Sequence, residues 1–176
     1  MENNTARPLG AGLTVLGAVA RILPHLPNFA PVGSISLFAG ARMRGWQAYA
    51  LPLILMAVTD PLVGGYSAAT PLIYASFLIN VWIGTRLRQS ESLPAIGGAA
   101  LAGSVQFFLL TNFAWLYPTS LYPHTFGGLV ASYVAGVPFF WPTLASDLLY
   151  SGVLFGLHAW LSRTVARRER VAVQAA

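Results

Sequence analysis

The chain has 176 residues, of which 56% are hydrophobic and only 9% charged, with a net charge of +5. A soluble domain carries about 25% charged residues, so a mostly water-bathed surface is excluded and a single-domain, polytopic helical membrane protein is predicted. The absence of cysteine excludes disulfides and thiolate chemistry, and the absence of lysine excludes a Walker A motif and a Schiff base.

Six spans account for the apolar runs, which are too long and too irregular for a β-barrel. Residues 1–8 are predicted as a cytoplasmic tail, 9–162 as a six-helix membrane domain and 163–176 as a basic cytoplasmic tail. The first span covers 9–23. Its GAGLTVLGAVA run, with Ala18 and Ala20, also resembles a signal-peptide core, which leaves open whether residues 1–20 are retained. The second, 32–43, and the third, 45–59, fall short of the ~20 residues a straight span needs, so both are predicted to pack inside the bundle or to be completed by ordered loop. The fourth and fifth cover 70–88 and 94–116. Residues 127–137 are predicted as a short re-entrant or interfacial helix, with Pro138 and Pro142 marking the start of a sixth span at 139–162.

The arginines fix the orientation. Arg7, Arg42, Arg44, Arg86, Arg88, Arg163, Arg167, Arg168 and Arg170 all fall on one side of a six-span arrangement, and only Arg21 on the other. Both termini are therefore predicted to be cytoplasmic, in a multi-pass protein of the cell (inner) membrane. Arginines at span edges are topology signals, and no nucleic-acid partner is implied.

With this topology the unusual polar residues gather at the outer side. The segment RILPHLPNFAPVGSISLFAGA, 21–41, carries Arg21, His25 and Asn28 between three prolines, more rigidity and polarity than a bare connector requires. The second outer loop carries Asp60 and Tyr66, with Gly64 and Gly65 beside them. The third carries Asn112, Trp115, Tyr122 and His124. Asp147 is placed about two turns inside the last span. An acid there costs roughly 2.5–3.5 kcal/mol on insertion scales, so it faces protein or a water-filled cavity. Arg21 is the natural partner for Asp60 or Asp147, as a structural ion pair or as a binding pair. These ten residues are the candidate solute contacts. His25 and His124 invite a metal, but neither has a second ligand at i+3 or i+4, and no metal site or cofactor is predicted.

Gly10, Thr14 and Ala18 form a small-residue ridge on the first span, and Ala95, Ala99 and Gly103 form another on the fifth. Gly152 and Gly156 add a third on the sixth. Such ridges serve close packing within the chain or docking of a second membrane protein. Enzyme motifs are missing: GYSAA around Ser67 falls short of G-x-S-x-G and does not follow a strand. No enzymatic activity is predicted.

The 21–41 segment, ALPLILMAVTDPLVGGY, FFLLTNFAWLYP and YPHTFGGLVASYVAGVPFFWPTLASDLLYSGVLFG resemble an uncharacterised bacterial family of inferred transport proteins. That family is similar to the substrate-binding S components of energy-coupling factor vitamin transporters. The resemblance covers about residues 15–157. It implies a six-helix membrane protein with a short or irregular second span, binding a vitamin or metal ion under the three outer loops. It also implies a separate membrane coupling protein and ATPases, with Gly10, Thr14 and Ala18 as the docking motif, although some relatives act alone. A non-transporting membrane scaffold or assembly subunit is the alternative, and would have a tightly packed outer half without a cavity.

Overall fold

The computed structural model describes residues 3–23, 27–88 and 90–174. They form six α-helices: α1 (Asn3–Ile22), α2 (Val32–Arg42), α3 (Trp46–Val63), α4 (Thr70–Thr85), α5 (Leu93–Thr111) and α6 (Phe126–Gln174), with one 3-10 turn at Ala114–Leu116. Among the described residues, α3, α5 and the Phe126–Thr164 part of α6 are long and apolar enough to cross a membrane, and α4 is apolar but shorter. Val15, Leu16, Val19, Ile54, Val58, Leu101, Leu109, Leu149 and Val153 are large apolar side chains that point outward. An apolar exterior of this kind marks a membrane protein, whose solvent is lipid.

The second helix is the centre of the bundle. Every residue from Val32 to Ala41 is buried, and α2 touches all five other helices. Eleven residues reach only about 16 Å at 1.5 Å per residue, too short to span. It packs inside the bundle, as its length predicts. Its tightest neighbour is α4. A Cβ on Gly40 would overlap the Val81 carbonyl, and one on Gly84 would overlap the Leu37 carbonyl. The two helices therefore meet backbone to backbone, the approach that small residues permit between membrane helices. Phe38 fills the space below, edge-on to Phe155 with ring centroids 5.2 Å apart.

Four buried hydroxyls follow one pattern. Ser36, Thr59, Ser76 and Ser104 each donate to the carbonyl four residues earlier in their own helix. A small hydroxyl satisfied within its own turn can enter a dry interface at little cost.

Helix α3 runs further than expected, to Val63, so Asp60 sits on the helix and not in the loop after it. Pro61 lacks the N–H that would pair with the Ala57 carbonyl. The Tyr66 hydroxyl donates to that carbonyl at 3.1 Å, and the Gly64 and Gly65 N–H groups both pair with the Asp60 carbonyl. Gly64 and Gly65 adopt φ of 154° and 79°, which only glycine takes readily. Tyr66→Phe is expected to cost about 1 kcal/mol or less, read as a small fall in thermal midpoint.

The end of the chain differs from its prediction. Residues 127–137 are not a separate re-entrant helix. They are the first turns of α6, which is continuous through Pro138 and Pro142 to Gln174. Prolines persist inside membrane helices where neighbouring groups compensate the lost backbone bonds. The nearby hydroxyls serve other groups: Thr143 donates to the Phe139 carbonyl, and Ser146 lies within hydrogen-bond distance of the Thr143 and Ala30 carbonyls, whereas Pro138 and Pro142 free the carbonyls of Val134 and Pro138. At 49 residues α6 extends about 74 Å, more than twice a bilayer's ~30 Å hydrocarbon core. The helices likewise run into both predicted tails, from Asn3 and to Gln174.

Helix α5 ends at Thr111, earlier than the predicted 116. Its last carbonyls are capped by side chains: Tyr133 donates to Leu109, Tyr117 to Thr111 and Ser132 to Asn112. Burial, with Tyr122 adding, pushes the Tyr117 phenol above the ordinary tyrosine value.

Charge collects at the C-terminal end of α2. Arg42 donates to the carbonyls of Leu87, Arg88 and Ser90, closing the α4–α5 turn against α2. Its guanidinium lies 5.1 Å from the Phe155 ring centre. Arg163 pairs with Glu91 at 2.9 Å.

Candidate functional site

At the opposite end of α2 lies a cavity of about 380 Å³. Its size falls within the roughly 300–1,000 Å³ typical of small-molecule pockets. Arg21 from α1, Met56 and Asp60 from α3, Phe77 and Asn80 from α4, Phe107 from α5 and Asp147 from α6 line it, around Gly33 of α2. Asn28, Gly65 and Ser67 line it from the α1–α2 and α3–α4 connections and Thr70 from the start of α4; all are exposed or half-buried, so they form its rim.

One wall is an ion-pair cluster. Arg21 meets Asp60 at 2.6 Å, and both side chains are largely buried. The same guanidinium donates to Thr59 Oγ1 at 2.6 Å and points at Met56 Sδ. Tyr74 donates to the second oxygen of Asp60 at 2.8 Å. Each charge is thus neutralised and hydrogen-bonded, the condition under which a buried pair is tolerated. Of the two acids, Arg21 takes Asp60.

The floor is built differently. Asp147 is 3% exposed, and among the described residues no cation bridges to it. Its Oδ2 accepts from Ser104 at 2.7 Å, and Ser34, in the first turn of α2, also hydrogen-bonds the carboxyl through its amide. A carboxyl at a helix N-terminus meets unpaired N–H groups and the positive end of the helix dipole. Gly33 is required here, because a Cβ would collide with the Asp147 carboxyl. Beside it, Asn80 is 1% exposed. Gln106 Nε2 donates to both the Ser76 carbonyl and Asn80 Oδ1, each at 3.0 Å, while Gln106 Oε1 is buried without a partner among the described residues. The Asn80 amide packs on Gly103, adjacent in sequence to the Ser104 that holds Asp147.

Above the floor, the Phe77 and Phe107 rings lie 5.4 Å apart at 33° and give the cavity an apolar face. Asn28 holds φ of 62° at the rim, a left-handed conformation that asparagine tolerates better than branched residues.

Residues 1–171 match a family described as a family of unknown function (DUF6580). The chain belongs to that family. No curated protein and no solved structure matches it.

In this family member, Arg21, Asn28, Asp60 and Asp147 share the cavity, and of the other predicted contacts Tyr66, Asn112, Trp115, Tyr122 and His124 do not line it. Tyr66 serves the carbonyl that Pro61 leaves free. Asn112 lies against Gly136 in a small neighbouring crevice that shares Asn28, Phe107 and Thr143 with the cavity. Trp115 stacks on both Phe113 and His124, with centroids 5.0 and 5.3 Å apart. His124 Nε2 lies 3.1 Å from the Tyr117 carbonyl, and Tyr122 packs edge-on to Tyr117. These rings make a separate aromatic stack that folds the α5–α6 connection onto itself. His25 lies outside the described residues. Among the described residues no group of three or more His, Asp or Glu could hold a metal ion.

The predicted docking ridge is only partly in view. Gly10 lies in α1, Thr14 contributes helical backbone, and their side-chain surroundings are outside the described residues. Ala18 packs toward the core, and so do Ala95 and Ala99 on α5. Gly152 and Gly156 face open space.

Asn80, Gln106, Phe77 and Ser104 were not among the predicted contacts. A signal for the first two exists: a lone amide in an apolar run such as SFLINVWIG or GSVQFFLL is costly in lipid and turns inward.

Proposed function

We propose that this chain is an S-component-like membrane protein that binds a small solute in this cavity for uptake. In this reading all six helices belong to the bilayer domain, both termini face the cytoplasm and the cavity opens outward. The gathering of Arg42, Arg88, Arg163 and Glu91 at the other end of the bundle supports that orientation. The observation that carries the reading is the cavity itself: it draws an ion pair, an isolated carboxyl, an isolated amide and two phenylalanines from five helices into one space of about 380 Å³. Any energy coupling would come from ATPases and a membrane coupling protein supplied by other chains, since this one has no lysine and no phosphate-binding loop.

The test is thermal unfolding of the purified full chain against a panel of water-soluble vitamins and divalent metal ions. A bound solute at one hundred times its Kd is expected to stabilise the protein by about 2.7 kcal/mol. No shift across the panel, together with no co-purified small molecule, would overturn the reading. The alternative, a non-transporting scaffold or assembly subunit, is favoured by one feature: Arg21, Thr59, Asp60 and Tyr74 are hydrogen-bonded to one another. The volume beside them counts against it.

A further inference from the structure

Resting on the solute-binding reading, we infer that the cavity floor selects a flat ring bearing a hydrogen-bond acceptor next to an N–H donor on one edge, read by the Asn80 amide and the Asp147 carboxyl while the ring lies against Phe77 and Phe107. The orientation of the Asn80 amide is decided by a chain of contacts. The Ser76 carbonyl can only accept, so the Gln106 atom facing it is the NH2 group. That same nitrogen faces Asn80, so the Asn80 atom meeting it is the oxygen. Asn80 Nδ2 is therefore turned away from Gln106, and it makes no hydrogen bond among the described residues. It belongs to a side chain that is 1% exposed yet lines the cavity.

Asp147 supplies the complementary group. Its Oδ2 is held by Ser104, and a carboxyl offers about four acceptor positions. Both residues lean on one point of α5: Asn80 on Gly103, Asp147 on Ser104. A donor and an acceptor thus line one cavity from adjacent positions of α5, on side chains held by α4, α5, α6 and the first turn of α2. The matching ligand edge is a ring nitrogen accepting from Asn80 beside an amino or ring N–H donating to Asp147. An anionic group is disfavoured there, because the carboxyl has no cation to balance it. Arg21 is engaged by Asp60 on the other wall.

The test uses 2-aminopyrimidine, which has this edge, with 2-(dimethylamino)pyrimidine, which keeps the ring and acceptor but loses the donor, and benzoate, which is flat and anionic. Binding to the full-length protein in detergent is read by ligand-observed NMR titration. The dimethyl compound and benzoate are each expected to bind at least ten-fold more weakly than 2-aminopyrimidine. Asn80→Asp keeps the oxygen that meets Gln106 and replaces the free donor with an acceptor. It is expected to weaken 2-aminopyrimidine at least ten-fold and to strengthen benzamidine, which presents two donors. Equal binding of the two pyrimidines overturns the edge recognition. So does an unchanged preference in a folded Asn80→Asp protein, and so does the absence of binding by every fragment. The comparison of the two pyrimidines needs no variant and stands even if Asn80→Asp does not fold. A vitamin panel that still shifts the thermal midpoint while the fragments fail removes this inference alone. Silence from both removes the solute-binding reading with it.

Discussion

Arg21→Leu is expected to destabilise the protein by about 3–5 kcal/mol, the usual consequence of removing one partner from a buried ion pair. The loss comes from the groups left behind. Asp60 would keep only the Tyr74 hydroxyl, and Thr59 and Met56 would face an empty space. Asp60→Leu strands the guanidinium instead and is expected to cost a similar amount. The double variant Arg21→Leu/Asp60→Leu removes both charges and is expected to recover a large part of the loss, since apolar replacement of a whole pair is often close to neutral. Thermal or denaturant unfolding of the three proteins in one detergent gives the coupling directly. Additive losses in the double variant would show that the pair does not hold α1 against α3.

Gly84→Leu is expected to have the second large effect. A side chain there must enter the space of the Leu37 backbone, where no flexible group can yield. Overpacking of ordinary side-chain interfaces costs about 1–3 kcal/mol, and a clash with backbone lies at or above the top of that range. The protein is expected to fail to accumulate in the membrane, or to unfold well below the parent. Gly152→Leu is the matched control. That position is open, so its stability is expected to stay within about 0.5 kcal/mol. Equal accumulation of the two variants, read by immunoblot and by size-exclusion profile, would refute the close α2–α4 crossing.

These two sites also show what a linear chain can disclose. The pairing of Arg21 with an acid was readable because a charge in an apolar setting has few places to go. The choice of Asp60 over Asp147 was not, since it depends on α3 continuing through Pro61. The burial of α2 was readable from its length. The Gly40–Gly84 contact was not, because glycines are common here and nothing local distinguishes one that touches backbone from one that faces open space, such as Gly152. Prolines misled in the opposite direction. Pro138 and Pro142 suggested a break, but α6 continues through both, and nothing in the local sequence separates a proline that a membrane helix accommodates from one that ends it. Within the site, the acids drew attention because their cost in lipid is high. Asn80 and Gln106 were passed over because a single uncharged amide stands out less in an apolar run, and their importance comes from meeting each other across two helices. The aromatic loop residues were legible as a group and not by role: Trp115 stacks on His124 and Tyr122 packs on Tyr117, and they leave the cavity to the phenylalanines.

The backbone contact between α2 and α4 has a mechanical consequence. At Gly40 and Gly84 the two backbones touch, so there is little room for one helix to slide on the other. The opposite wall is of another kind: α1 leans chiefly on α3, and its last turn is latched there by one guanidinium. The α3–α4 part of the rim carries Gly64 and Gly65 at positive φ. In the proposed solute-binding role, widening is expected on the α1 side, with Arg21 as the clasp and the α2–α4 contact as the fixed jaw.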